Sequence, residues 1–188
     1  EGGEFPVTVT QPGVHNVYNA LSAIAVGLHF GLTPEECARG IKNCKYTASR
    51  LEITEINGSE IINDCYNSSP DSVRAALKVM GETQKSTKIA VLGDILEMGE
   101  FAPKAHYDLG KNVAENGIDI LITAGENTKE LARGAKDNGM ENVISFDTTD
   151  ELVKEINDLI KPNSCVLVKA SHGMEFNKVI DAIKGKDE

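Results

Sequence analysis

The sequence predicts an α/β fold: a Rossmann-like, mostly parallel sheet with flanking helices and an N-terminal β-hairpin, preceded by a helical segment. From residue 59 onward, short apolar runs alternate with amphipathic stretches of helical length. This alternation is typical of βαβ units, whose right-handed crossovers build a parallel sheet. Asn57-Gly58 separates an alternating run, 50–56, from a short apolar run with strand character, 59–64, and Asn-Gly is the strongest short signal for a hairpin turn.

The segment before residue 48 predicts two helices and part of a further domain. An Ala-rich stretch ends at Gly31, and residues 33–36 (Thr-Pro-Glu-Glu) form a capping box with proline at the first helical position. Residues 5–9 alternate like an edge strand, although no partner strand precedes them. We therefore expect the chain to begin inside a domain of a longer protein. The polar stretch 45–49 predicts the boundary between segment 1–47 and domain 48–188.

Beyond the hairpin, strands and helices are predicted in regular alternation. The predicted strands are 88–92, 118–123, 143–146 and 165–169, and the predicted helices follow Ser69, Pro103, Asn127, Thr148 and His172. Polar residues follow several strands, at 64–69, 93–97, 125–126 and 169–172. In open α/β sheets, ligands bind at the edge where the carboxyl ends of the strands meet, so a site is predicted there. The alternative is a set of well-capped crossover turns, with Ser69 only a helix N-cap.

Composition argues against several kinds of partner. The net charge is −10 and the isoelectric point about 4.9, which disfavours a nucleic acid or an anionic membrane as the main partner. The longest apolar run, about 21–32, is too short to span a membrane. The four cysteines match neither a metal-ligand pair nor a disulfide framework, so we expect free thiols in a reducing cytoplasm.

Three common catalytic motifs do not occur in the sequence. It contains no G-x-G-x-x-G fingerprint, no G-x-x-x-x-G-K-[ST] loop and no G-x-S-x-G elbow. A self-sufficient dinucleotide or P-loop enzyme is therefore disfavoured. His106 shares a predicted helix face with Leu109 and Val113 and is interpreted as a packed core histidine. Residues 93–97 are interpreted as a turn with some substrate contact.

An ordered series of motifs resembles the Mur ligases. The series is Gly13-x-His15-Asn16-x-x-Asn19-Ala20, Arg50-Leu51-Glu52, Asp64-x-Tyr66-Asn67-x-x-Pro70-Asp71-Ser72, Leu92-Gly93-Asp94-x-x-Glu97-x-Gly99 and Leu167-Val168-Lys169-x-Ser171. It extends over nearly the whole chain. Within the family, the Tyr66-Asn67 form of the loop is similar to that of members that add D-alanyl-D-alanine to UDP-N-acetylmuramoyl-tripeptide.

The resemblance implies the C-terminal part of a three-domain, ATP-dependent ligase of peptidoglycan synthesis. Residues 1–47 would be the C-terminal remnant of the central ATP-binding domain, and residues 48–188 the Rossmann-like C-terminal domain. ATP and Mg²⁺ would be needed, with the Mg²⁺ ligands in the missing central domain. The partners would be UDP-N-acetylmuramoyl-tripeptide, D-alanyl-D-alanine and ATP. We expect a cytoplasmic monomer without nucleic-acid binding or membrane insertion, and a chain that is inactive on its own.

The resemblance also assigns residues to binding, and none in this chain to catalysis or to a metal. The predicted ATP-binding residues are Asn16 and Asn19 at the adenine, Arg50 at the phosphates and Asp64 at the ribose. An amide suits a base edge and a guanidinium suits a phosphate. The predicted substrate-binding residues are Asn67, Ser68, Ser69, Lys169 and Ser171. Each of these also has a purely structural interpretation as a cap, a turn residue or a surface ion pair.

Two motifs depart from the family pattern. The family often has Asn-Ala-Asn-Pro where this chain has Asn67-Ser68-Ser69-Pro70, and Lys-Gly-Ser-Arg where it has Lys169-Ala170-Ser171-His172. The second change removes a fixed positive charge, because a histidine is charged only part of the time near neutral pH. Two alternatives stay open. One is a related amide ligase with another acceptor, of the folylpolyglutamate or cyanophycin type, and the other is a stand-alone Rossmann-like binding module.

Overall fold

A computed structural model describes residues 3–45 and 47–185. Tyr46, in the predicted linker, lies outside the described residues. The chain divides into two compact units, Glu1–Thr47 and Ala48–Glu188. Among the helices of the described ranges, none is both long and apolar enough to cross a membrane.

The described residues of the first unit form two helices, α1 (Val14–His29) and α2 (Pro34–Lys42). The predicted capping box opens α2: Thr33 Oγ1 accepts the Glu36 N–H at 3.2 Å, and Glu36 Oε2 accepts the Thr33 N–H at 2.8 Å. The prediction of an edge strand over residues 5–9 is wrong, since these residues form no strand. An alternating sequence is compatible with a strand, but a strand forms only when its backbone pairs with a neighbouring strand. The strands of the described residues all belong to the sheet of the second unit.

The second unit is an α/β sandwich, and its architecture confirms the predicted fold class. Its described residues form β1 (Glu52–Ile56), β2 (Ser59–Asn63), α3 (Pro70–Gly81), β3 (Thr87–Gly93), α4 (Ala102–Glu115), β4 (Ile120–Ala124), α5 (Thr128–Asp137), β5 (Val143–Phe146), α6 (Thr149–Leu159), β6 (Ser164–Lys169) and α7 (Asn177–Ile183). Within this described range the sheet has six strands in the order β1-β2-β6-β3-β4-β5. β1 and β2 pair antiparallel, and the other neighbours pair parallel.

The predicted hairpin joins β1 and β2. Ile56 lies opposite Ser59, so Asn57 and Gly58 alone form the turn. Their φ angles are 50° and 78°, the left-handed values that a tight two-residue hairpin turn requires at both positions. The turn fixes the register of β2, whose last residue, Asn63, directly precedes the polar loop at the carboxyl edge.

The helices cover both faces of the sheet. α3, α4 and α5 pack on one face, through residues that include Leu77, Leu109, Leu131 and, from the strands, Leu92 and Leu167. α6 and α7 pack on the other face, through residues that include Leu152, Ile156, Val179 and, from the strands, Val91 and Val168. The helix after β6 therefore lies on the opposite face from the helices after its neighbours, β2 and β3. Such a reversal opens a crevice at the carboxyl ends of these strands.

Candidate functional site

Three loops enclose a cavity of about 320 Å³ at this crevice. The lining residues are Tyr66, Asn67 and Ser68 after β2, Leu96 and Glu97 after β3, and Ser171, His172 and Gly173 after β6. Asn67, Ser68 and Ser171 are predicted substrate-binding residues, and the structure brings them to one cavity. Leu96 and Glu97 belong to the turn 93–97, for which the sequence predicts some substrate contact, whereas Tyr66, His172 and Gly173 were not assigned to binding from the sequence. Their positions beside motif residues were the available signal, because loop residues next to a strand end share its edge of the sheet.

Lys169 and Asp64 form a buried ion pair beside the cavity. Lys169 Nζ lies 2.7 Å from Asp64 Oδ2, and the two side chains are 2% and 13% exposed. The ammonium also donates to the Asn67 carbonyl at 2.9 Å and, more weakly, to the Asp64 carbonyl at 3.4 Å. The other carboxylate oxygen, Asp64 Oδ1, accepts the Leu51 N–H at 3.1 Å. The pair thus joins residues that the sequence assigns to different ligands.

The serines after Asn67 have different environments. Ser69 Oγ accepts the Ser72 N–H at 3.3 Å, and Ser72 Oγ accepts the Ser69 N–H at 2.9 Å, so Ser69 is the N-cap of α3. Ser68 Oγ is buried and has no hydrogen-bond partner among the residues that the structure describes. The Ser68 N–H is held by Asn67 Oδ1 at 2.9 Å. The Ser68 hydroxyl is therefore an unused hydrogen-bonding group in the wall of the cavity, and it is closed to solvent in this structure.

The loop after β3 is fixed by Ser171 and His106. Ser171 Oγ accepts the Leu96 N–H at 2.9 Å, which leaves the hydroxyl hydrogen free to donate. His106 is fully buried, as predicted for a core histidine, and its Nε2 accepts the Ile95 N–H at 3.0 Å. Its Nδ1 then carries the hydrogen and donates to the Ala102 carbonyl at 2.7 Å. These bonds position the wall that includes Glu97, whose φ of 62° is unusual for a residue with a side chain.

Arg50 lies at the tip of a strained turn before β1. Its neighbours Ser49 and Leu51 have left-handed φ angles of 62° and 47°. The Arg50 guanidinium lies 4.1 Å from the centre of the Tyr66 ring, a cation–π contact, and the Tyr66 ring lies 6.1 Å from that of His172. The Tyr66 N–H donates to the Ser49 carbonyl at 3.0 Å, which fastens the turn to the cavity loop.

Asn16 and Asn19 lie on α1 in the first unit. Asn16 is buried, and its Nδ2 donates to the Pro12 carbonyl at 2.8 Å. Asn19 Nδ2 donates to Asn16 Oδ1 at 3.2 Å. The two amides are therefore oriented by each other and by the chain before α1. Their contact with an adenine stays a prediction.

The site offers no thiol nucleophile and no cluster of metal ligands within the described ranges. Burial raises the pKa of the Cys65 thiol, which donates to Asn63 Oδ1 at 2.9 Å. A thiol held protonated in this way is a poor nucleophile. Residues 3–45 and 47–185 contain no group of three or more histidine, cysteine, aspartate or glutamate side chains that could hold a metal ion. The arrangement is thus suited to binding and positioning polar groups.

Comparison with known proteins agrees with the motifs. The family described as Mur ligase, glutamate ligase domain, matches residues 49–172. The UDP-N-acetylmuramoyl-tripeptide–D-alanyl-D-alanine ligase of Bacillus subtilis is 34% identical over 171 residues, which cover 89% of this chain and 37% of that enzyme. The chain thus spans less than half the length of this relative.

Solved structures show the same relationship. A crystal structure of MurF from Acinetobacter baumannii superposes with a TM-score of 0.86 at 29% identity, and the match covers 96% of this chain and 40% of that one. MurF from Thermotoga maritima, solved in complex with ADP, gives a TM-score of 0.78 at 20% identity, with coverages of 96% and 40%, and shows the shared fold. The chain therefore belongs to the Mur ligase family, and it contains that family's C-terminal domain.

Proposed function

We propose that this chain is the C-terminal part of an ATP-dependent ligase that adds D-alanyl-D-alanine to UDP-N-acetylmuramoyl-tripeptide in peptidoglycan synthesis. One observation carries the proposal: Asn67, Ser68 and Ser171 line a single cavity. The chain that contains this cavity is 34% identical to the UDP-N-acetylmuramoyl-tripeptide–D-alanyl-D-alanine ligase of Bacillus subtilis. In this proposal the second unit supplies the acceptor site and part of the ATP site. A cytoplasmic location and a monomeric state stay predictions.

The proposed chemistry needs positioning rather than a covalent nucleophile. In such a ligase, ATP supplies the phosphoryl group that activates the substrate carboxylate, and the acceptor amine then displaces phosphate to form the amide. The residues of this chain would hold the acceptor and one side of the nucleotide. Holding two reactants in the correct geometry is by itself a large source of rate acceleration.

The cavity fits a small dipeptide with no charged side chain. Ser68 Oγ and the Ser171 hydroxyl hydrogen are unused hydrogen-bonding groups. The Glu97 carboxylate, which also lines the cavity, would attract the ammonium group of the acceptor before that ammonium loses a proton. An imidazole, His172, is the basic side chain among the residues that line the cavity. The side chains of Lys169 and Ser69 are already bonded to other groups of the chain. Their direct contact with the acceptor stays a prediction.

The predicted ATP-binding residues fit a nucleotide in part. Asp64 accepts one hydrogen bond at each carboxylate oxygen, and a carboxylate has about four acceptor positions, so a ribose hydroxyl could still be held. The Arg50 guanidinium suits a phosphate. We place the Mg²⁺ ligands and the P-loop in the rest of the longer protein. This chain alone is therefore expected neither to hydrolyse ATP nor to form a peptide bond.

The first unit is proposed to be the C-terminal remnant of the central ATP-binding domain. α1 exposes apolar side chains in this unit, including Val14 at 70%, Tyr18 at 68% and Leu21 at 55%. A contiguous apolar helix face of this kind normally packs against other parts of a domain. The preceding part of the central domain is its proposed partner.

The lining residues favour this acceptor over the alternatives. A glutamate acceptor, as in a folylpolyglutamate-type ligase, brings a second carboxylate, and the cavity lining includes Glu97 but neither lysine nor arginine. Placing that carboxylate beside Glu97 would cost free energy through like-charge repulsion. A stand-alone binding module would not need a unit with the exposed apolar face of α1.

The test is an acceptor panel on the longer ligase that contains this chain. ATP and UDP-N-acetylmuramoyl-tripeptide are supplied with D-alanyl-D-alanine, L-glutamate or no acceptor, and phosphate release and product mass are measured. We expect phosphate release and an extended product with D-alanyl-D-alanine. A product with L-glutamate but not with the dipeptide would contradict the proposal, as would release of phosphate that no acceptor stimulates.

A further inference from the structure

We infer that Lys169 and Asp64 are positioning residues, whose buried ion pair fastens both the turn that carries Arg50 and the loop that carries Asn67 to the end of β6. The inference rests on the proposed function only for what these residues position. For Lys169 it replaces the sequence-based prediction of an acceptor contact, whereas for Asp64 it adds a second role to the predicted ribose contact.

The bonding of Lys169 leaves its ammonium no spare donor. A lysine ammonium has three N–H groups. Lys169 Nζ has three acceptors within the chain: Asp64 Oδ2 at 2.7 Å, the Asn67 carbonyl at 2.9 Å and the Asp64 carbonyl at 3.4 Å. The side chain is only 2% exposed. A ligand carboxylate would have to displace one of these acceptors, and the displaced group would then lose its partner inside the protein.

Asp64 extends the connection to the Arg50 turn. Its Oδ1 accepts the Leu51 N–H at 3.1 Å, and Leu51 has the left-handed φ of 47°. Ser49, on the other side of Arg50, also has a left-handed φ, of 62°. Two such residues around one position persist only when surrounding contacts hold them. The carboxylate of Asp64 is one such contact, and its ion pair with Lys169 compensates the cost of burying the two charged groups.

The same pair therefore positions two parts of the site. Through Asp64 and the Leu51 N–H it sets the turn that places Arg50 over the Tyr66 ring, at 4.1 Å. Through the Asn67 carbonyl it sets the loop that lines the cavity. A change at Lys169 should thus disturb the predicted phosphate contact and the predicted acceptor contact together.

The first test uses this chain and needs no substrate. Amide hydrogen exchange of Leu51 is measured by NMR in the wild type, in Lys169→Met and in Lys85→Met. Lys85 is the matched control, because its ammonium also donates to a backbone carbonyl, that of Gly58, and pairs with a carboxylate, Glu55, but at the hairpin end of the sheet.

We expect Leu51 exchange to become about tenfold faster or more in Lys169→Met, relative to amides of β4, and to stay unchanged in Lys85→Met. Unchanged Leu51 exchange in Lys169→Met would overturn the inference. If Lys169→Met does not fold, the double variant Lys169→Met/Asp64→Asn is used, since it buries no unpaired charge. In that variant the uncharged amide that replaces the carboxylate is a weaker acceptor, so Leu51 exchange should still be faster than in the wild type, and wild-type exchange would overturn the inference.

The second test uses the longer ligase and steady-state kinetics. If Lys169 positions both parts of the site, Lys169→Met should lower kcat, or raise both the ATP KM and the D-alanyl-D-alanine KM. In either case kcat/KM should fall about tenfold for each of the two substrates. A rise confined to the dipeptide KM would support direct acceptor binding and overturn the inference. A lower Tm with unchanged kcat and KM values would show a purely structural role and would overturn it too.

The two tests separate this inference from the proposed function. A wild-type ligase that does not use D-alanyl-D-alanine would contradict the proposed function, whereas the Leu51 exchange result would still decide whether the ion pair holds the Arg50 turn. In the kinetic test, Lys85→Met should keep the wild-type constants.

Discussion

Ser68 and Ser69 are neighbours in sequence, but their hydroxyl groups have opposite environments. Ser69 Oγ accepts the Ser72 N–H and caps α3, whereas Ser68 Oγ is buried without a hydrogen-bond partner among the described residues. A cap contributes to the stability of the fold. A buried hydroxyl without a partner lowers stability, and it is the feature expected where a ligand supplies the missing bond.

Substitution of the two serines should therefore affect stability differently. Ser69→Ala removes the N-cap and should lower the free energy of unfolding by about 1 kcal/mol. Ser68→Ala removes a buried polar atom that makes no bond, so it should leave stability unchanged or raise it slightly. Urea denaturation of the chain, followed by circular dichroism, measures both. A larger loss for Ser68→Ala than for Ser69→Ala would contradict these assignments.

The Lys169–Asp64 pair should show strong coupling in a double-mutant cycle. Lys169→Met leaves the Asp64 carboxylate buried and unpaired, which should lower the free energy of unfolding by about 3–5 kcal/mol. Lys169→Met/Asp64→Asn removes both charges and should recover part of that loss. Denaturant unfolding of the wild type, both single variants and the double variant gives the coupling. Additive effects would show that the two side chains do not depend on each other.

Gly110 should be sensitive to substitution because α4 and α5 cross there. A Cβ at Gly110 would overlap the Leu131 carbonyl oxygen of α5, which is backbone and cannot move aside cheaply. Gly110→Ala should therefore lower the free energy of unfolding by about 1–3 kcal/mol. Gly40 is the matched control, since it lies inside α2 with no atom near its Cβ position, and Gly40→Ala should be neutral or stabilising by up to about 1 kcal/mol. Equal thermal shifts for the two variants would refute the crossing as the cause.

Cys165 should make the fold sensitive to alkali. Burial, together with the hydrogen bond to Glu60, raises the pKa of the Cys165 thiol from 9.0 to about 12. Between these values the unfolded thiol loses its proton and the folded thiol keeps it, so the free energy of unfolding falls as pH rises. The slope is at most about 1.4 kcal/mol per pH unit from this group.

Urea denaturation at about pH 8 and at about pH 10 measures how far the free energy of unfolding falls between the two pH values. Cys165→Ala should lose less stability between the two pH values than the wild type does. Cys44→Ala, at an exposed thiol, should keep the wild-type slope. The same slope in Cys165→Ala would contradict the assignment.

Local signals predicted much of the fold. Asn57-Gly58 forms the predicted hairpin turn, and Thr33 with Glu36 forms the predicted capping box. Both depend on neighbours a few residues apart, which a single sequence contains. The prediction of a strand over residues 5–9 failed because pairing depends on a distant partner.

The site was predicted only in part for the same reason. The rule that parallel strands end at one edge was enough to place Asn67 and Ser171 together. It could not show that Lys169 and Asp64 form an ion pair, because they are 105 residues apart and the register of β2 against β6 is not written in either strand. The sequence did identify Ser69 as a candidate N-cap of the helix that begins at Pro70, which the structure confirms, but it could not show that the Ser68 hydroxyl is buried without a partner among the described residues.

The most direct test of the account is the D-alanyl-D-alanine KM of the longer ligase carrying Ser68→Ala, compared with the wild type and with Ser86→Ala. Ser86 is an exposed serine before β3, at the opposite edge of the sheet, and serves as the control. If the cavity holds the acceptor and Ser68 bonds to it, Ser68→Ala should raise the dipeptide KM by about fivefold to tenfold and leave the ATP KM unchanged. Wild-type KM values for both substrates in Ser68→Ala would contradict the claim that this cavity is the acceptor site.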